Sequence, residues 1–178
     1  MKVTNTVLDG LKIIEPDKFD DNRGYYLKSF EKKVFLDHGI DFNIVQVSHS
    51  FNQEKGTVRG MHFQTEPFAQ GKLVLCIKGK VFDVAVDLRK NSPTYGEWFG
   101  LELSEKNKKV LYIPKGFAHG FQTLVDNTEF LYYISEPYSK EHESGVKWND
   151  PTFAIKWSLE PTVISDKDSK WPVFESKA

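Results

Sequence analysis

The strongest constraint on this chain is a two-residue alternation in its middle, broken only by a single glycine. Lys72–Lys78 (KLVLCIK) is followed by Gly79 and then by Lys80–Leu88 (KVFDVAVDL). A period of two belongs to pleated strands, so this segment is expected to form two strands about a tight turn. In the second strand Phe82, Val84 and Val86 point one way, and Val81, Asp83, Ala85 and Asp87 the other. A purely apolar core would not place carboxylates on its own face. That face therefore meets solvent, or it lines a polar cavity inside a small barrel.

The rest of the chain follows the same rule. Trp98–Leu103 and Lys109–Pro114 flank the polar loop Ser104–Lys108 and read as a second hairpin, and Val58–Gln64 and Thr128–Ser135 read as further strands. Valine outnumbers alanine fifteen to five, which favours sheets over helices. Helical signals are confined to Glu31–Asp37 and Lys140–Ser144, each good for a turn or two. No linker, repeat or low-complexity segment divides the 178 residues, so one domain over 1–178 is expected. Many short strands at regular spacing predict an all-β sandwich or barrel with a few short helices.

Charge and cysteine usage narrow the function. The formal net charge of −1 gives no long-range attraction to nucleic acid or to an anionic membrane, and neither partner is expected. The single cysteine, Cys76, excludes an intrachain disulfide and a multi-cysteine zinc cluster. The polar N-terminus and the lone thiol point to the cytoplasm.

Three arginines stand against 21 lysines, and two of them precede glycine, at Arg23-Gly24 and Arg59-Gly60. Arginine grips phosphate bidentately and glycine lets backbone approach a ligand closely, although an ion pair beside a turn gives the same pattern. His62 lies in the strand-like Arg59–Gln64, and His119 in Pro114–Phe121. Each suits a satisfied core histidine, a general base or a metal ligand. The metal reading fits poorly, because Gln64 occupies the second position of a His-x-His pair. Adjacent Tyr132 and Tyr133 must face opposite sides of a strand. Tyr138 follows in Glu136–Ser139, and Ser165–Asp168 reads as a charged turn or part of a site.

Taken in order, these segments resemble the dTDP-4-dehydrorhamnose 3,5-epimerase family. The resemblance rests on Arg59-Gly60-Met61-His62-Phe63-Gln64, Gly71-Lys72-Leu73-Val74, Val81–Arg89, Ser92-Pro93-Thr94, Ile113–Phe121, Trp148-Asn149-Asp150-Pro151 and Ser165-Asp166-Lys167-Asp168. It implies a cupin-like jelly roll (a double-stranded β-helix), a homodimer, no metal or organic cofactor, and a nucleotide-linked 4-keto-6-deoxy sugar as substrate. It implies that His62 is the base, steadied by Asp168, that Tyr132 is the acid on the opposite face, and that Lys72 stabilises the enolate inverted at C3 and/or C5. A phenol with an ordinary pKa near 10 would suit donation. It also implies that Arg23 and Arg59 hold the diphosphate and that Gln46 and Ser48 contact the nucleotide half. His119, Glu143 and Lys167 would make further substrate contacts, with Tyr138 bordering the sugar. The chain departs from the family pattern at Lys28, where a glutamate is usual, and at Gln46-Val47-Ser48. Lys28 is therefore a candidate for setting base specificity, since an ammonium can only donate. A non-catalytic sugar-nucleotide binder and a metal-dependent cupin are the competing classes.

Overall fold

The computed structural model describes residues 1–174. In chain order the elements are β1 (Lys2–Asn5), β2 (Lys12–Glu15), β3 (Lys18–Asp21), β4 (Gly24–Leu27), α1 (Lys32–Asp37), β5 (Gln46–Asn52), β6 (Thr57–Gln64), β7 (Lys72–Lys78) and β8 (Lys80–Asp87). They continue with β9 (Trp98–Ser104), β10 (Val110–Ile113), β11 (Phe117–Thr123), β12 (Thr128–Ile134), β13 (Glu143–Gly145), β14 (Val163–Ile164) and α2 (Asp166–Ser169). One sheet runs β1-β2-β10-β7-β12-β5 and the other β13-β6-β11-β8-β9, with β14 joined parallel to β6. Strands β3 and β4 form a separate hairpin. Two antiparallel sheets between which the chain passes repeatedly are the expected jelly roll.

The alternation sorts side chains into three apolar layers. Between the sheets lie Val74, Cys76 and Phe130 from the first, and Val81, Ala85, Phe117 and Phe121 from the second. Each fully buried phenylalanine contributes roughly 1.5–3 kcal/mol relative to exposure. The outer face of the first sheet, with Ile14, Leu73, Val110 and Tyr133, is covered by Phe30, Phe35, Ile40 and Phe42 around α1. The outer face of the second, with Met61, Val84, Val86 and Ala118, is covered by Val146, Phe153, Ile155 and Trp157. The Trp148–Pro151 motif serves this cover. Asp150 is buried and accepts the backbone N–H groups of Thr152, at 2.8 Å, and of Phe174.

Both expected hairpins are corrected by the pairing. Strand β7 pairs with β10 and β12, whereas β8 pairs with β9 and β11. The chain changes sheets at Gly79, which has φ +79°, and a Cβ there would lie 2.7 Å from Thr128 Oγ1. The inward apolar residues of β7 and β8 thus meet face to face across the core, which buries more of them than edge-to-edge pairing would. Likewise β9 joins the second sheet and β10 the first. Their connection is held by Asn107, whose Nδ2 donates to Glu102 O at 2.9 Å and whose Oδ1 accepts from Ser104 N at 3.1 Å. The helix expected over Lys140–Ser144 is also corrected, since Glu143–Gly145 is a strand on the free edge of β6. Among the described residues no helix is long and apolar enough to cross a membrane.

Candidate active site

A bulge between β6 and β11 creates the site. His62 stands opposite His119 and Arg59 opposite Phe121, so two residues on β6, Gly60 and Met61, face one on β11, Gly120. In a regular strand Arg59 and His62 would face opposite sides. The extra residue turns both toward the space between the sheets. Two glycines permit it: a Cβ on Gly60 would lie 2.5 Å from Gly120 Cα, and one on Gly120 would lie 2.7 Å from Arg59 O. Gly60 also has φ +137°, a conformation that L side chains rarely adopt.

His62 Nε2 lies 2.6 Å from Asp168 Oδ1. Asp168 is 4% exposed and is delivered by α2, where the Ser165 hydroxyl caps the helix by accepting Asp168 N–H at 3.1 Å. Its second oxygen accepts Gly60 N–H at 3.1 Å. Burial pushes the Asp168 carboxyl up, but the bonds from His62, Gly60 and Trp171 outweigh it and hold the group below the usual carboxylate range. An ionised carboxylate only accepts, so the shared proton belongs to Nε2 and the imidazole keeps its lone pair on Nδ1.

Lys72, Asp83, His119 and Tyr132 complete the interior. Lys72 is 8% exposed, and its ammonium donates to His62 O at 3.3 Å. Burial pulls its pKa down to about 8, against the attraction of Asp83 and Glu143. Asp83 is wholly buried in the barrel, which resolves the alternation in favour of a polar interior. Its Oδ2 lies 2.9 Å from His119 Nε2, while Oδ1 has no hydrogen-bond partner among the described residues. Burial raises Asp83 and lowers His119, which favours a neutral imidazole donating to the carboxylate. Tyr132 projects inward from β12 beside Phe130 and His119, its hydroxyl 3.2 Å from Ser50 Oγ, while Tyr133 packs on the outer layer. Burial raises the Tyr132 phenol well above its ordinary value, which corrects the expectation of an unshifted group.

The resulting cavity of about 240 Å³ is lined by Ser48, Arg59, His62, Gln70, Lys72, His119, Gly120, Phe121, Tyr132, Ile134 and Glu143. At its mouth the exposed Arg59 donates from Nε to Asn52 Oδ1 at 2.6 Å and from Nη2 to Phe51 O at 3.4 Å. A polar rim continues from Gln46 Nε2 to Ser48 Oγ at 2.8 Å, and from Gln46 Oε1 to the backbone N–H of Tyr138 at 3.2 Å. The Tyr138 hydroxyl donates to Glu143 at 2.8 Å, and Glu143 also pairs with Lys167. Gln64, at the would-be ligand position, instead binds Phe68 O at 2.7 Å and Ser139 N at 2.8 Å, anchoring two loops. Among the described residues no three His, Cys, Asp or Glu side chains converge as a metal-binding group. Cys76 lies in the core, and burial pushes its thiol up to about 12, so it is not a nucleophile.

Most residues singled out from the sequence thus meet at one site, but two do not. Arg23 is on the β3–β4 hairpin with its side chain 85% exposed and pairs with Asp21. Lys28 follows β4 and pairs with Glu31 at 2.9 Å. Neither lines the cavity of its own chain. Sequence reasoning missed Asn52, Ser50, Gln70 and Trp171 as site neighbours. None carried a local signal, because each arrives through long-range pairing.

Comparison with known proteins places this geometry. A family model described as dTDP-4-dehydrorhamnose 3,5-epimerase matches residues 5–176. A dTDP-4-dehydrorhamnose 3,5-epimerase of Sinorhizobium fredii (strain NBRC 101917 / NGR234) is 51% identical over 163 residues, covering 91% of this chain and 84% of the relative. The crystal structure of the Bacillus anthracis str. Ames enzyme with TDP and PPi bound superposes with TM-score 0.94 at 46% identity, covering 97% of this chain and 99% of that one. The Legionella pneumophila enzyme in complex with dTDP-4-keto-L-rhamnose gives TM-score 0.91 at 43% identity, covering 97% and 92% of the two chains.

Proposed function

This chain belongs to the dTDP-4-dehydrorhamnose 3,5-epimerase family, and from that premise we propose that it inverts C3 and C5 of a dTDP-linked 4-keto-6-deoxy sugar without a cofactor. A ketone at C4 acidifies the C–H bonds on both neighbouring carbons. Inversion removes a proton from one face and returns one to the other, with negative charge held on the C4 oxygen in between. One observation carries the reading: His62, paired with Asp168 of α2, belongs to the second sheet, Tyr132 to the first, and the cavity between them also holds Lys72. A sugar ring lying between the sheets would meet a base on one face and a protonated phenol on the other.

In this reading His62 Nδ1 takes the proton while Asp168 stabilises the imidazolium through Nε2–H. The raised Tyr132 phenol stays protonated until it donates. Lys72, with one of its three N–H donors engaged among the described residues, directs its charge at the forming enolate oxygen. Arg59 at the mouth suits the diphosphate, and the Gln46, Ser48, Tyr138 and Glu143 rim suits the hydroxyl-rich remainder.

Arg23 and Lys28 join this site only if a second copy supplies them. A homodimer accounts for their placement and for the apolar groups left exposed on β5 and the β3–β4 hairpin, namely Val47, Phe51, Phe19, Tyr25 and Tyr26. The test is incubation with a dTDP-linked 4-keto-6-deoxy sugar in deuterated water. Deuterium at both C3 and C5 with inverted product is the expected result. Deuterium at one carbon would assign a mono-epimerase, and none at either would make the protein a binder. Mixing inactive Arg23→Ala and His62→Ala proteins should restore activity if Arg23 acts across the dimer. No recovery in mixed dimers would return Arg23 to a surface role.

A further inference from the structure

The His62–Asp168 pair has a third neighbour. Trp171 follows α2, and its ring meets that of His62 edge to face, with centroids 6.2 Å apart and planes at 68°. Its indole N–H is buried and completes no hydrogen bond of ordinary geometry. It nevertheless acts on Asp168, lowering the carboxyl alongside His62 and Gly60. The N–H thus lies near enough to influence Asp168 without closing a hydrogen bond to it.

The fold makes room for this ring. Gly145 stands directly across the ladder from His62, and a Cβ on Gly145 would lie 2.5 Å from Trp171 Cδ2 and Cε2. The indole thus occupies the slot left by the absent side chain, flush against the partner position of the base. Pro172 O accepts Lys147 N–H at 2.9 Å and pins the chain just beyond, while the Lys167 ammonium lies 5.8 Å from the centroid of the ring. A tryptophan held on both sides, with a donor buried and unpaired among the described residues, has more structure around it than cover for a hydrophobic surface requires.

We propose that Trp171 is a positioning residue of the proton-abstracting pair: its ring, seated in the Gly145 slot, fixes the plane of His62, and its buried, unpaired N–H is available to the Asp168 carboxylate as a third donor. The inference rests on His62 being the base. Asp168 has lone pairs left after serving His62 and Gly60, and a carboxylate held from a third side cannot rotate away when the imidazole becomes charged. The third donor also draws electron density from Asp168, so the carboxylate holds the imidazolium less tightly and the proton can be released for the next turnover. The other charged or titratable groups facing His62 are Glu143, paired with Lys167, and His119, backed by Asp83 and Lys72.

Trp171→Phe keeps an aromatic ring and removes the donor. In this enzyme kcat should fall about 5- to 20-fold with KM within twofold of wild type, and the acidic limb of kcat/KM should move to higher pH, because a less-satisfied Asp168 favours the charged imidazole. Gly145→Ala, which displaces the same ring from behind, should move the limb in the same direction. Wild-type kcat and an unmoved acidic limb in a folded Trp171→Phe protein would overturn the inference. A measurement on the unmutated protein stands beside this one. The indole proton of Trp171 should shift in the NMR spectrum across the pH range of the acidic limb, and a flat resonance would equally overturn the inference. Turnover surviving in His62→Ala would instead remove the reading of the base, so the two failures are distinguishable.

Discussion

Replacing Lys72 by methionine separates the proposed enolate-stabilising role from a packing role. Methionine has a similar unbranched length and suits an 8%-exposed position, so the cavity wall is retained while the charge is lost. Asp83 then faces no ammonium. Burial already pushes that carboxyl toward its neutral form, which gives the variant a way to remain folded. Removing one charged donor from a developing oxyanion costs on the order of 3–4 kcal/mol, or roughly 10²- to 10³-fold in kcat. The pH dependence gives a second, independent reading. Lys72 in the free enzyme loses its proton at about pH 8. The ammonium is the working form, so it is present below that value and lost above it. The kcat/KM of wild type should therefore fall about tenfold per pH unit on the alkaline side of 8, and Lys72→Met should lack that limb. The assay is initial-rate epimerisation over pH 6–10, with circular dichroism to check the fold. A loss below fivefold, or an alkaline limb near 8 that persists in Lys72→Met, would refute the assignment.

Three further substitutions bear on the remaining roles. His62→Ala should lower kcat by about 10³-fold or more with KM little changed, measured on a protein of native circular dichroism. Tyr132→Phe should block inversion more severely than exchange of substrate protons into solvent, since abstraction from the other face survives; equal loss of both would assign the hydroxyl to another step. Arg59→Ala should raise KM by about 10- to 100-fold, the worth of one charge-assisted contact to phosphate, and leave kcat nearly intact.

The alternating strand Lys80–Leu88 and the short apolar runs made the class of fold legible, because the side-chain period of a strand survives any choice of partner. Pairing was not legible. Gly79 and Ser104–Lys108 have the composition of hairpin turns, yet both are crossings between sheets. Local turn chemistry is the same in the two cases, and only burial of both inward faces decides between them. The site was legible as a set of residues through the family resemblance, but its shape was not. Arg59 and His62 share a cavity because of one unpaired residue in β6, and that bulge is a property of two glycines meeting from distant strands. The buried partner of His119 was half visible, as an aspartate in an otherwise apolar alternation. Trp171 gave no signal, because its role depends on the space left by Gly145 on another strand.

The same interior explains why so many polar groups coexist with an apolar core. An ammonium, a carboxylate and two neutral hydrogen-bonding rings occupy the barrel: Lys72, Asp83, His119 and Tyr132. Burial works against each charge separately, raising Asp83 and drawing Lys72 down, and their mutual attraction opposes both shifts. The pair is thus poorly solvated yet close to neutral in sum, so an added negative charge would meet the ammonium with little water to screen it. The orphaned Asp83 Oδ1 fits this picture. A direct bond from Lys72 to that oxygen would hold the ammonium more firmly and leave less of its charge for a substrate. The surrounding phenylalanine layer, with Phe121 and Phe130 stacked at 4.7 Å between centroids, keeps water from restoring the screening. The proposed base and acid, in contrast, are carried by facing sheets whose separation of about 10 Å leaves space for one sugar ring between their side chains. In the proposed reaction, opposite-face proton transfer follows from where the two sheets put His62 and Tyr132, and the charge between them from what the alternation buried.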